Sequence, residues 1–331
     1  MRNLITDIVG VRVGHAEDRK IGSGVTAILF DTPAVAAADL RGGAPGTRES
    51  ALLDPAMTVE RVDAIALSGG SAFGLDAASG VQAWLAEQGR GFEVRSVRVP
   101  IVPAAIVFDL LNGGDKKWGR YPPYRELGYE AVKSAAADFR LGSAGAGHGA
   151  RTVNLQGGIG SASAQTPDGI TVGALAVVNA AGGVTVGDTA QFWAAPFERG
   201  NEFGGLGFPP KVPQDALTFR LKGATGENTA LIVVVTDATL TKSQTRRLAI
   251  MAQDGLARAI YPVHTPADGD IVFAAATSAK PLPNPVHGLA ALGALAADTV
   301  ARAIARGVYE ATALPFPGAA PAWKDKFGKA N

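Results

Sequence analysis

The Asn228-Thr229 dipeptide is the part of this sequence best suited to chemistry. A polar stretch from Lys222 to Asn228 runs directly into the apolar residues ALIVVV, which predicts that Thr229 stands at the mouth of a buried strand. In a strained loop the Thr hydroxyl can attack the preceding carbonyl, form an ester and, after hydrolysis, leave Thr229 as a new N-terminus. Its α-amino group, with a reference pKa of about 7.7 to 8.0, can then act as general base for its own hydroxyl. Asn-Thr pairs are common, so a turn followed by an ordinary strand residue stays open as the alternative.

The histidines and one glycine-rich segment argue against a metal or nucleotide site. The four histidines are scattered and form no H-E-x-x-H or comparable cluster. They are His15, His148, His264 and His287. The segment AGAGHGA, residues 144–150, formally matches a G-x-G-x-x-A fingerprint, but the residues before it indicate the end of a helix rather than a strand. The sequence therefore predicts neither a metal ion nor a cofactor.

Two glycine-rich loops have roles that the sequence leaves open. DLRGGAPGTRE, residues 39–49, is turn-rich, and its arginines and glutamate fit either an ordinary loop salt bridge or a functional site. GGSAFG, residues 69–74, follows a predicted buried strand and opens a helix. Its glycines either aim backbone N–H groups at an anion or carbonyl, or let the helix pack closely on the sheet. Close packing is the preferred interpretation.

Hydrophobic spacing along the chain alternates between strand and helix patterns. Apolar, β-branched stretches predict strands, and apolar residues at helical spacing predict helices. Strands are expected at 4–13, 24–30 and 62–68, in a meander from 155 to 186, and in ALIVVV and IVFAAAT; helices are expected at 75–85, 242–260 and 288–309. Asn179 stands at the tip of the meander, and Thr241 with Gln244 predicts a capping box. A long surface excursion is expected from 188 to 215.

Composition and charge limit the classes of function. The chain has 331 residues, 47% hydrophobic and 18% charged, which suits one large globular unit with a sizeable core. A net charge of +1 without a Lys/Arg run argues against nucleic acid or a membrane surface as partner, and a small neutral substrate fits better. The N-terminus lacks the pattern of a secretory signal, so a cytoplasmic location is expected. The absence of cysteine excludes disulfides and thiolate chemistry.

Seven segments together resemble one family of self-cleaving amide hydrolases. They are DLRGGAPGTRE, LSGGSAFGLDAA, VPIVPAAIVFDL, GAGHGA, GGIGSAS, GENTALIVVVTDA and TPADGDIVFAAAT. The family comprises L-aminopeptidase/D-esterases, β-peptidyl aminopeptidases and nylon-oligomer endohydrolases. The segments occur in the family's order from about residue 5 to 310, so the resemblance covers nearly the whole chain.

The resemblance implies a fold and a maturation step. It implies a four-layer α/β/β/α sandwich of the N-terminal-nucleophile hydrolase type, which is also the fold of ornithine acetyltransferase. The chain is expected to be a single catalytic domain, 1–331, cleaved into a larger chain, 1–228, and a smaller chain, 229–331. Thr229 would then be the nucleophile. Aminopeptidase members commonly carry Ser at this point, whereas Thr resembles the nylon-oligomer branch. Homo-oligomers, commonly tetramers of the two-chain protomer, are also implied.

The resemblance also assigns supporting residues. Asp268 and Asp270 match a downstream polar pair that could hold the ammonium of Thr229 and pass protons, although TPADGD alone indicates an Asp-Gly turn. Asn179 matches an Asn that donates to the substrate oxyanion, and otherwise would be a strand-end cap. A further polar or basic residue of the family falls near Arg151 and Asn154, and the alignment does not choose between them.

The expected substrate is a small amide or peptide, of L-, D-, β- or ω-amino type. Two alternatives to a hydrolase stay open. One is an acyltransferase of the ornithine acetyltransferase type, whose motif around the cleavage site is not found in GENTALIV. The other is an uncleaved binding or scaffold protein.

Overall fold

The computed structural model describes residues 1–222 and 228–328. Within them, eleven strands and six α-helices are defined. The strands are β1 Val11–Asp18, β2 Ser23–Leu40, β3 Thr47–Arg48, β4 Arg61–Ser68, β5 Phe92–Val94, β6 Val97–Val99, β7 Ala104–Ile106, β8 Ile159–Gln165, β9 Thr171–Asn179, β10 Thr229–Ala238 and β11 Ile271–Lys280. The helices are α1 Ala77–Glu87, α2 Tyr124–Lys133, α3 Lys242–Ala252, α4 Asp254–Ala259, α5 Pro285–Tyr309 and α6 Trp323–Phe327. The expected polar stretch before Thr229 lies, for residues 223–227, outside the described residues.

One long strand, β2, joins two layers of sheet. The described strands pair in the order β3-β7-β4-β2-β11-β10-β9-β8, with β1 also on β2, and β5 and β6 form a separate hairpin. The first half of β2 pairs with β1 and β4, and its second half pairs with β11. The register against β4 shifts between Leu29 and Ala34, as expected of a bulge that redirects a strand. β2 therefore passes from one layer to the other.

Three hydrophobic cores separate four layers. Alternate residues of β10 face opposite sides: Ile232 and Val234 pack under α3, α4 and α5, whereas Leu231 and Val233 meet Phe30 of β2 between the two sheet layers. A third core lies between β1, β2 and β4 on one side and α1 and α2 on the other. Strands buried on both faces explain the nearly continuous apolar runs in the sequence. The predicted α/β/β/α sandwich is confirmed.

Several element boundaries differ from those predicted. The strand expected at 24–30 continues to Leu40 as β2. The strand expected at 4–13 is wrong in its first half, because Ile5–Asp7 is a 3-10 turn and β1 begins only at Val11. The Asp7 carboxylate accepts backbone N–H groups of Arg2 and Asn3 and so closes the turn. The helix expected at 242–260 is divided at Gln253 into α3 and α4. Its predicted capping box is confirmed.

Helix α5 is the one helix of the described chain that is long and apolar enough to cross a membrane by length and composition. Of its most apolar window, 61% is buried inside the fold. It packs on β8 and β9 with Val300, Ile304 and Val308 in the core. The burial accounts for its apolar composition as that of a core helix.

Candidate active site

Thr229 is buried at the start of β10, where three segments of the chain meet. It is 4% exposed and opposes Asn179, the last residue of β9, in the antiparallel register. The residue before it, Asn228, forms a parallel bridge with Asp268. Asp270 lies immediately ahead of β11, the parallel neighbour of β10. The structure thus brings together the five residues that the sequence singled out, Asn228 among them.

The Thr229 hydroxyl lies against the carbonyl of the residue before it. Its Oγ1 donates a hydrogen bond to Asn228 O. Asn228 O also accepts a hydrogen bond from the backbone N–H of Gly269 at 2.9 Å. A Cβ on Gly269 would lie 2.7 Å from Thr229 Oγ1, so a residue without a side chain is needed beside the hydroxyl. The Asn228 side chain is buried, and its amide atoms find no hydrogen-bond partner in the described chain.

Asp270 forms hydrogen bonds with both the start of β10 and His264. Its Oδ1 accepts the backbone N–H of Ala230 at 2.7 Å. Its Oδ2 accepts the backbone N–H of His264 at 3.1 Å and faces His264 Nδ1 at 2.9 Å. His264 has a left-handed backbone, with φ of 57°, which turns its N–H and its ring toward one carboxylate oxygen. No role was predicted for His264, and its spacing of six residues from Asp270 is the only signal for it in the sequence.

Asp268 is a buried carboxyl whose pKa is raised. It is 1% exposed, and its Oδ2 accepts the backbone N–H of Thr265 at 2.8 Å. Burial is the main cause of the raised pKa, and the nearby negative charge of Asp270 adds to it. Backbone hydrogen bonds to the carboxylate act in the opposite direction. A carboxyl in this setting holds its proton at higher pH than an exposed Asp does.

Asn179 is held at both ends of its carboxamide. Its Oδ1 accepts the Arg151 backbone N–H at 3.1 Å and the Lys222 ammonium at 2.9 Å, and its Nδ2 donates to Phe108 O at 3.1 Å. Because the first two groups are donors only, they identify the oxygen end of the carboxamide. Lys222 was missed as a site residue, since a lone Lys in a polar stretch gives no signal for burial.

The loop at 39–49 forms one wall of this site. Ala44 N donates to Asp268 O at 2.7 Å, and Arg41 N donates to Asp270 O at 3.0 Å. A Cβ on Gly42 would lie 2.3 Å from Asp270 N, so the close approach requires glycine. A salt bridge, one of the two roles that the sequence left open for this loop, joins Arg41 Nε to Asp39 at 2.6 Å rather than to the glutamate.

The second glycine-rich loop, 69–74, supports the site from behind. Gly70 N donates to the buried carboxylate of Asp109 at 2.8 Å, next to the Phe108 carbonyl that Asn179 contacts. A Cβ on Gly70 would fall 2.1 Å from the Tyr124 ring. This geometry supports the predicted packing role of the loop, and its N–H serves a protein carboxylate.

A cavity of about 390 Å³ opens beside Lys222. Arg151 and Asn154, the two residues between which the sequence could not choose, both line it. The Arg151 backbone is the closer to Asn179, whereas the Asn154 amide faces Asp188 at 3.4 Å. The volume lies within the range of about 300 to 1,000 Å³ that is usual for small-molecule sites.

Comparison with known proteins decides the family. The model of peptidase family S58 matches residues 3–319. The chain belongs to peptidase family S58. It is therefore a hydrolase of amide bonds, as the sequence predicted. Among 1–222 and 228–328, no group of three or more histidine or acidic side chains lies close enough to hold a metal ion.

Proteins similar to this chain are named for different activities. An uncharacterized aminopeptidase of Mycobacterium bovis is 46% identical, with 98% of each chain covered. A 6-aminohexanoate-oligomer endohydrolase of a Kocuria species is 29% identical over 84% of this chain and 76% of its own. A solved L-aminopeptidase D-Ala-esterase/amidase of Ochrobactrum anthropi, a variant of the Ntn hydrolase fold, superposes with a TM-score of 0.71 at 20% identity, covering 98% of this chain and 92% of its own. That last likeness shows the fold alone.

Proposed function

We propose that this S58 peptidase cleaves its own Asn228-Thr229 bond and then uses Thr229 as an N-terminal nucleophile. The observation that carries the proposal is the contact of the Thr229 hydroxyl with Asn228 O, on which Gly269 N–H also converges. A hydroxyl beside a carbonyl whose oxygen already accepts a fixed N–H is placed for acyl transfer. Membership of the family is consistent with this chemistry.

Self-cleavage would proceed through an ester. Thr229 Oγ1 bonds to the Asn228 carbonyl carbon, and Gly269 N–H stabilises the negative oxygen that develops there. The C–N bond then breaks, its nitrogen takes up a proton, and Asn228 is held as an ester on Oγ1. Asp268 is suited to supply that proton, because its raised pKa keeps it protonated at higher pH than an ordinary Asp. The proton that the Thr229 hydroxyl gives up then replaces the one lost from Asp268, so the step neither gains nor loses a proton. Water then hydrolyses the ester to the Asn228 carboxylate and free Thr229.

The buried Asn228 side chain favours the same step. Its amide atoms have no partner among the described residues, and an unsatisfied buried polar group costs about 1 to 3 kcal/mol. Scission frees Asn228 to leave this position as a chain end. Relief of that cost would favour scission at the bond that is proposed to break.

Turnover would repeat the chemistry on an external amide. The Thr229 amine takes the hydroxyl proton, Oγ1 attacks the substrate carbonyl, and Asn179 donates an N–H to the oxyanion. The Thr229 ammonium passes that proton to the leaving amine as the substrate C–N bond breaks, and water then hydrolyses the ester to a free carboxylic acid and the Thr229 hydroxyl. Asp270 fixes the backbone next to the nucleophile through Ala230 N, and Asp268, which forms a parallel bridge with Asn228, is the proposed group for proton transfer.

We propose small peptides or other linear amides as substrates. The relative at 46% identity is named an aminopeptidase, and a more distant one is named for 6-aminohexanoate oligomers. The cavity beside Lys222 is the candidate space for the substrate, because two of its lining residues, Arg151 and Lys222, contact Asn179. A panel of aminoacyl, β-aminoacyl and 6-aminohexanoyl p-nitroanilides would rank these classes by kcat/KM.

Mass spectrometry of the purified protein tests the proposal directly. Two chains should appear, the smaller beginning with Thr229, with masses that together account for the 33.8 kDa chain. An active preparation that contains only the intact chain would refute self-cleavage as the source of the nucleophile.

A further inference from the structure

Lys222 is a buried cation next to the proposed oxyanion donor. It is 5% exposed, and its ammonium lies 2.9 Å from Asn179 Oδ1, 2.9 Å from Asn179 O and 2.7 Å from Arg151 O. An ammonium is a donor only, and all three of these oxygens are acceptors. The Lys222 ammonium thus binds both the backbone and the side chain of Asn179, the last residue of β9.

The contact with Asn179 Oδ1 determines which way the carboxamide faces. A carboxamide can rotate by half a turn and exchange its oxygen and nitrogen with little change in shape. The Lys222 ammonium opposes that exchange, because an NH2 group placed beside it would put two donors together. The charge also polarises the amide, and a polarised amide is a stronger N–H donor.

We propose that Lys222 is a positioning residue for amide hydrolysis, holding Asn179 so that its N–H serves the oxyanion. The inference rests on the proposed function, since it takes Asn179 as the donor to the oxyanion. Lys222 itself acts through Asn179 and transfers no proton. Its effect therefore belongs to the transition state and depends on the Asn179 side chain.

Lys242 provides a matched control for a purely structural role. It is also 5% exposed, and its ammonium is likewise bound to carbonyl oxygens, those of Leu52, Met57 and Val59 at 2.8 to 3.1 Å. These carbonyls belong to the segment that leads into β4, and none of them is a site residue. Lys242→Met should lower the melting temperature while leaving kcat per processed molecule within about twofold of the wild type.

The test is a double-mutant cycle between Lys222 and Asn179. Lys222→Met, Asn179→Ala and the double variant are assayed on the p-nitroanilide that the wild type hydrolyses fastest, with kcat normalised to the small chain measured by mass spectrometry. Asn179→Ala should lower kcat about a hundredfold or more. Lys222→Met should lower kcat about tenfold or more with KM within about threefold, and Lys222→Arg should recover part of it. The double variant should be within about twofold of Asn179→Ala, because Lys222 has nothing left to position.

Several outcomes would overturn the inference. Losses that multiply in the double variant, or a Lys222→Met enzyme within about twofold of wild-type kcat, would show that Lys222 does not act through Asn179. Equal losses in Lys222→Met and Lys242→Met would reduce its role to stability. Where Lys222→Met processes too slowly to assay, Lys222→Arg takes its place in the same cycle, with kcat again normalised to the small chain. Amide hydrolysis by an unprocessed Thr229→Ala chain would instead refute the proposed function, and so separates the two failures.

Discussion

The hydroxyl of Thr229 and the amide of Asn179 are fixed by groups that offer only one kind of hydrogen bond. Asn228 O can only accept, so the Thr229 hydroxyl donates to it. The Lys222 ammonium and the Arg151 N–H can only donate, so they select the oxygen of Asn179. Such one-way partners are a means of pre-organisation, because each side chain has a single favourable orientation before any substrate arrives.

Substitution of Thr229 separates the nucleophile from its surroundings. Thr229→Ala should abolish both scission and turnover, because neither the ester nor the acyl-enzyme can form without the hydroxyl. Thr229→Ser should retain part of both, since it keeps the oxygen and loses the methyl that restricts its rotamer. Denaturing gels and p-nitroanilide assays on the same preparations measure the two steps. A Thr229→Ala protein that still cleaves itself would require another nucleophile.

The raised pKa of Asp268 predicts a change of stability with pH. Its ordinary value is 3.8, so the folded chain binds this proton more tightly than the unfolded chain does. The stability that this provides is complete below the unfolded pKa and is lost as pH rises through the higher folded pKa. Two uncleaved proteins are compared, Thr229→Ala and Thr229→Ala with Asp268→Asn. As pH rises from about 4 to 8, the melting temperature of the second should therefore increase relative to that of the first. A difference that stays constant over this range would show that the carboxyl is not perturbed.

At the scale of elements, the site depends on two loops that touch at their backbones. Loop 39–49 donates N–H groups to the carbonyls of Asp268 and Asp270, and glycine at position 42 makes that approach possible. The second loop, which carries Asp268 and Asp270 and is called the acid loop, donates a hydrogen bond from Gly269 N to Asn228 O. The position of Asp268 and Asp270 is thus set by residues more than 200 positions earlier in the chain.

A methyl group at position 42 should disturb this contact. In Gly42→Ala the new Cβ would lie 2.3 Å from Asp270 N and 2.4 Å from Asp268 O, and both are backbone atoms that cannot rotate away. The displaced acid loop should slow scission about tenfold to a hundredfold, as small misplacements of catalytic groups do. Gly183→Ala is the control, since its Cβ would meet nothing closer than 3.5 Å and it should process at the wild-type rate. Both are followed by the appearance of the small chain on denaturing gels.

The same two loops show what the sequence could and could not predict. The start of β10 at Thr229 and the capping box of α3 follow from local patterns, and both are confirmed. Lys222 and His264 carry no such pattern, because their importance comes from burial against residues far away in the chain. Similarly, the turn at Ile5–Asp7 looks like a strand by its apolar residues, and only the Asp7 carboxylate closes it. Local spacing predicts elements, whereas side-chain partners across the fold decide the site.

For the whole molecule, the proposed cleavage falls at a strand in the middle of a sheet. β10 lies between β9, from the larger product, and β11, from the smaller. β11 in turn pairs with β2 of the larger product, so the two strands of the small chain are inserted between strands of the large one. The opposite faces of β10 contribute to two of the three cores. Scission at Asn228 therefore breaks one bond at the edge of an interface that is built from ordinary core packing.

The two products should consequently remain one folded body. Each fully buried Val, Leu or Ile side chain contributes about 1.5 to 3 kcal/mol, and the small chain buries such residues all along β10, β11 and α5. On native gel filtration both chains should elute together at the position of the uncleaved Thr229→Ala variant. They should separate only in denaturant, and the processed protein should unfold in a single transition in which both chains take part. A small chain that elutes alone under native conditions would show that the sheet does not hold across the cleavage, and the free Thr229 amine would then have no fixed oxyanion donor to act with.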